Sequence, residues 1–102
     1  MHLNDYQKRA AAYAGGFKTN ADGQILCGLG LAGESGEVAD LLKKRFFHPH
    51  RTITDAKIMD EMGDVLWYLG LLCHLLDRNL AEVARLNLEK LGARYPDGFP
   101  TC

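Results

Sequence analysis

Two long stretches with helical apolar spacing, about Ile25 to Phe46 and Thr54 to about Asp77, stand only about seven residues apart. In the first, Leu26, Leu29, Gly30, Gly33, Glu37 and Leu41 form a stripe; in the second, Ile58, Met62, Val65, Leu66, Leu69, Leu72, Cys73 and Leu76 do the same. Helices of ~22–24 residues each span ~33–36 Å. A connection this short constrains them to fold back on one another as an antiparallel hairpin. His48-Pro49-His50-Arg51 supplies the break, and Thr54 is a good N-cap for the second long helix.

Two shorter segments flank the hairpin. The first runs from about Leu3 to Ala14 and stops at Gly15-Gly16, and a polar loop from Lys18 to Gly23 leads onward. At the other end, Asn79-Leu-Ala-Glu82 has the form of a capping box and opens a helix carrying Leu80, Val83, Ala84, Leu88 and Leu91. No segment alternates with period two. The expected fold is all-α, a four-helix-bundle-type subunit dominated by the hairpin. At 102 residues it should form one domain with a modest core. The formal net charge of −1 marks no nucleic-acid or membrane surface, and no apolar run approaches the ~18 residues of a membrane span. Cys27, Cys73 and Cys102 have no metal-type spacing; Cys27 and Cys73 lie in apolar stripes and read as reduced core thiols of a cytoplasmic protein.

The chemistry lies in two acidic pairs, Glu34-x-x-Glu37 and Glu61-x-x-Asp64. Carboxylates three apart share one helical face. The residues four positions on are Val38, Leu41, Val65 and Tyr68, so no i+4 Lys or Arg neutralises them. The pairs also lie at similar distances from the connecting loop, so a hairpin sets them side by side. Clustered negative charges repel, and a cation must offset them. Oxygen ligands alone suit Mg²⁺, Mn²⁺ or Ca²⁺ rather than zinc. The reading is therefore a divalent-metal site of Glu34, Glu37, Glu61 and Asp64, against a solvated acidic surface as the alternative.

Gly30-Leu-Ala-Gly-Glu-Ser-Gly-Glu-Val-Ala-Asp-Leu-Leu-Lys-Lys44, followed by Asp60-Glu-Met-Gly-Asp-Val-Leu-Trp-Tyr-Leu69, resembles the MazG family of all-α nucleoside triphosphate pyrophosphohydrolases. Asn87-Leu-Glu-Lys-Leu91 and Arg94-Tyr-Pro-Asp-Gly-Phe99 resemble the ends of short, single-domain members. The resemblance implies hydrolysis of a (d)NTP to the monophosphate and pyrophosphate, with the four acidic residues holding Mg²⁺ (Mn²⁺ as an alternative). It also implies a carboxylate that takes the proton of the attacking water, for which Glu37 and Glu34 are the candidates. Asn87, Lys90 and Arg94, each about one turn apart, are candidate phosphate contacts, against a capped, solvated helix end as the alternative. Lys43 and Lys44 either steer the anionic substrate or serve the helix dipole. Tyr68 either stacks on the base or packs the core with Trp67.

Tyr6, Gln7, Lys8, Arg9, Phe17, Lys18 and Thr19 are available near the start of the chain without an assigned role. Gly28, Gly30, Gly33 and Gly36 in one helix suggest close approach by a neighbouring helix, since each costs up to ~1 kcal/mol relative to Ala. With the small core, and with the dimers and tetramers of the family, this points to a homodimer or homotetramer with sites near subunit interfaces. The alternatives are a relative acting on dUTP or phosphoribosyl-ATP, and a non-catalytic nucleotide-binding helical module.

Overall fold

The computed structural model describes residues 1–48 and 50–100. Pro49, the expected stop of the first long helix, and Cys102 lie outside the described residues. Among those residues there are four helices and no strand: α1 (Leu3–Ala11), α2 (Asn20–Phe47), α3 (Asp55–Leu75) and α4 (Leu80–Arg94).

The long hairpin is α2 on α3. Asn20 Nδ2 donates to the Leu75 carbonyl at 2.8 Å, and Gly23 lies against Leu75. Further along, Gly30 lies beneath Tyr68, and at the closed end Arg45 Nε donates to the Ile53 carbonyl at 3.1 Å while its guanidinium pairs with Asp55. Partners on α3 thus descend as those on α2 ascend, which is antiparallel packing.

α2 begins about five residues before the expected start. Thr19 rather than a later residue is the N-cap, its Oγ1 accepting from Asp22 N at 3.1 Å. The polar Asn20-Ala-Asp-Gly23 sequence is helical because Gly23 is buried where a Cβ would come within 2.8 Å of Leu75 and 3.0 Å of Phe17. Thr54 caps α3 as expected, accepting from Lys57 N at 3.2 Å. The helix ends in a Schellman turn: Arg78 N donates to the Cys73 carbonyl and Asp77 N to the His74 carbonyl, with Asp77 at φ +54°.

The capping box expected at Asn79 does not form. Asn79 makes no side-chain cap, and Glu82 pairs with Arg78 at 2.9 Å. The first amides of α4 are met instead from α1: Leu80 N donates to Gln7 Oε1 at 2.6 Å and Ala81 N to Asn4 Oδ1 at 3.1 Å. α1 is itself held to α3, where Trp67 Nε1 donates to the Ala10 carbonyl at 3.0 Å.

Among the described residues Ala10, Cys27, Leu41, Ile58, Leu71, Cys73 and Leu80 are the buried apolar side chains, and Cys27 and Cys73 are free thiols. Burial raises both thiol pKa values, with Glu82 adding to Cys73.

The four helices do not close into a bundle. Among the described residues α4 packs on α1 and α3 and leaves α2 untouched, because its short lead from α3 ties it to α1. The radius of gyration is 16.3 Å, against about 13 Å for a compact chain of this length. Between α2 and α3 runs an open apolar groove of about 610 Å³, lined by Ser35, Val38, Met59, Met62, Gly63, Val65, Leu66 and Leu69.

Candidate metal centre

The antiparallel register brings Glu34 of α2 opposite Glu61 and Asp64 of α3. One carboxylate oxygen from each lies within 4.8 Å of the others. Glu34 and Glu61 are half-buried and Asp64 is exposed, so the cluster sits at the rim of the helix interface. Among the described residues no Lys or Arg forms an ion pair with any of the three.

The Glu61 carboxyl is pushed above its usual range. Desolvation at the interface is the main cause, followed by a hydrogen bond shared with Glu34 and by the charges of Glu34, Asp64 and Glu37. This is the electrostatic mark of a site short of positive charge. Burial, and then the charge of Asp64, also raises the Tyr6 phenol, which brings α1 into the electrostatic neighbourhood of the cluster. Spacing alone gives Tyr6 no role; its nearness to the cluster depends on the packing of α1 against α3.

The other candidate residues are distributed around this core. Glu37 is exposed one turn along α2, outside the three-carboxylate set yet near enough to act on Glu61. Tyr68 is half-buried one turn after Asp64, its ring over Gly30 and edge-on to Trp67 at 4.9 Å between centroids. Lys43 lies 3.9 Å and Lys44 2.7 Å from Asp40, and these neighbours hold the Asp40 carboxyl below its usual range, Lys44 foremost through its hydrogen bond. Asn87, Lys90 and Arg94 are exposed on α4, which does not touch the α2 side of the cluster.

Among the described residues, Gly23 and Gly30 are the glycines on α2 that lie tight against side chains. A Cβ at Gly30 would overlap Tyr68 Cε1 and Cζ, whereas Gly28, Gly33 and Gly36 have nothing within 4 Å.

The fold is all-α, and one carboxylate oxygen from each of Glu34, Glu61 and Asp64, on two facing helices, makes a set that could hold a divalent cation. The chain belongs to the MazG nucleotide pyrophosphohydrolase domain family, which it matches over residues 24–99. It is also similar to Gene 37 protein of Mycobacterium phage L5, at 37% identity over 105 residues covering 96% of this chain and 92% of that protein. No solved structure matches it.

Proposed function

We propose that this protein is a Mg²⁺-dependent nucleoside triphosphate pyrophosphohydrolase that converts a (d)NTP to the monophosphate and pyrophosphate. The observation that carries the reading is the meeting of Glu34, Glu61 and Asp64 oxygens within 4.8 Å, without a cationic side chain, in a chain of this family. The donor set fits Mg²⁺, with Mn²⁺ the natural substitute; both accept carboxylate oxygens and leave positions for water and phosphate.

In this reading Glu34, Glu61 and Asp64 hold the ion, and Glu37 joins through its outer position. The bound ion supplies neutralisation of triphosphate charge and a more acidic water. Whichever carboxylate is left free of the ion takes the proton of the attacking water: Glu37, exposed and outside the three-carboxylate set, with Glu34 the alternative. Tyr68 offers the base a ring beside the cluster. Asn87, Lys90 and Arg94 hold phosphate oxygens from α4, and Lys43 adds positive charge at the far end of α2.

The exposed apolar side chains of the hairpin, Leu29 at 70%, Met59 at 66% and Met62 at 53% exposure, support assembly as a homodimer or homotetramer. The chain acts as one domain over residues 1–102 in the cytoplasm, without nucleic acid or membrane as partner.

The deciding experiment incubates purified protein with a panel of NTPs and dNTPs and Mg²⁺ and identifies the products by chromatography. Monophosphate plus pyrophosphate is expected. Diphosphate plus orthophosphate, or no turnover of any nucleotide, overturns the reading.

A further inference from the structure

Gln7 is 8% exposed and is the buried polar side chain among the described residues. Both ends of its amide are used on one short turn: Nε2 donates to the Arg78 carbonyl at 2.8 Å, and Oε1 accepts from Leu80 N at 2.6 Å. The turn joins α3 to α4, and Leu80 N is among the first amides of α4, which no intrahelical carbonyl can meet. Asn4, three residues earlier on the same face of α1, takes the next amide, that of Ala81. Asn79 contributes no cap of its own.

Little else fixes where α4 points. Leu80 is its buried residue, the remainder is half-buried or exposed, and α2 gives it no support. A helix of 15 residues is ~22 Å long, so a 10° swing about its first turn moves the far end by about 4 Å. Asn87, Lys90 and Arg94 occupy that outer half, and misplacement of a binding group by ~1 Å is enough to impair a reaction by up to ~100-fold.

We infer that Gln7 is a positioning residue: by bridging Arg78 and Leu80 it fixes the direction of α4 and so the place of Asn87, Lys90 and Arg94 relative to substrate phosphates. The role given to α4 rests on the pyrophosphohydrolase reading; the clamp itself does not. Gln7 is not among the clustered carboxylates, and its amide, spent on two backbone groups, is not free to bind a base.

The test uses the full chain with Gln7→Met, which keeps the length of the side chain and removes both hydrogen bonds. Backbone hydrogen exchange is followed without nucleotide. The α4 amides, Leu80 and Ala81 first, are expected to exchange at least tenfold faster, with those of α2 and α3 unchanged within about twofold. Mn²⁺ affinity, measured without nucleotide, should stay within about twofold. KM for the best nucleotide should rise at least fivefold with a smaller change in kcat, the signature of lost substrate binding.

Unchanged exchange in α4, or equal loosening of all four helices, overturns the clamp. Faster exchange in α4 with unaltered KM overturns its positioning role. If the wild-type protein turns over no nucleotide, the pyrophosphohydrolase reading fails while the exchange result alone decides the clamp. Should Gln7→Met not fold, Gln7→Glu keeps the acceptor for Leu80 N but, ionised, sets an oxygen against the Arg78 carbonyl; it should loosen α4 with Leu80 and Ala81 first, and unchanged exchange there overturns the clamp.

Discussion

Replacing Gly30 by Ala sets two effects of opposite sign against each other. Gly30 lies within α2, where Ala is better than Gly by about 1 kcal/mol. Against that, the new methyl would overlap three atoms of the Tyr68 ring, and overpacking of this kind costs about 1–3 kcal/mol. The ring must swing, so Gly30→Ala is expected to destabilise by up to about 2 kcal/mol. With Tyr68→Ala in place the obstacle is gone, and Gly30→Ala should then stabilise by about 1 kcal/mol. Gly28→Ala, with nothing within 4 Å, serves as the propensity control and should stabilise in both backgrounds. Urea unfolding followed by circular dichroism, at one fixed protein concentration, gives the four corners of the cycle. A coupling below about 0.5 kcal/mol, or a stabilising Gly30→Ala beside intact Tyr68, would refute the close packing as the reason for glycine at this position.

The raised Glu61 carboxyl binds its proton more tightly folded than unfolded, so its contribution to ion-free stability grows as pH falls through the raised value and is lost as pH rises. Glu61→Gln should flatten that slope and abolish Mn²⁺ binding by calorimetry, while Mg²⁺ at saturation flattens it in the wild type. Asp40 has the opposite sign: its contribution is present above the ordinary carboxylate range and disappears as pH falls through its depressed value. A Lys44→Ala variant should therefore differ from wild type in urea midpoint at neutral pH and converge with it in acid. Thr54→Ala removes the cap on Lys57 N and should cost about 1 kcal/mol in the same unfolding assay. Asp77→Gly relieves a left-handed residue at the end of α3 and should stabilise by about 0.5–1 kcal/mol; a lower melting temperature would contradict the strain assigned to it.

What the chain discloses by itself follows the reach of each interaction. Thr54 acts on an amide three residues away, and the hairpin follows from a short connection between long stripes, so both are readable locally. The meeting of Glu34 with Glu61 and Asp64 needs only that hairpin and a count from its loop. The start of α2 is hidden because Asn20-Ala-Asp-Gly23 has the composition of a turn, and its helical state depends on Leu75 and Phe17 closing over Gly23. The cap of α4 is hidden for the same reason: Gln7 lies 73 residues from the amide it meets. The open placement of α4 is likewise a matter of tertiary balance, since its own apolar residues do not name the helix they face. Glu37 shares a turn with Glu34 in sequence, but α3 passes nearer the earlier residue.

The hairpin is pinned at both ends by polar contacts, Asn20 to Leu75 at the open end and Arg45 to Ile53 and Asp55 at the closed one. Between them sit carboxylates that push the helices apart. A slip of one residue would shift α2 by ~1.5 Å and turn each of its side chains by ~100°, enough to carry Glu34 off the interface altogether. Asn20 and Arg45 therefore act as the two stops of a ruler. Changes at these remote positions would be felt as a misreading at its middle, and a search for inactivating substitutions that looked only near the acidic residues would overlook them.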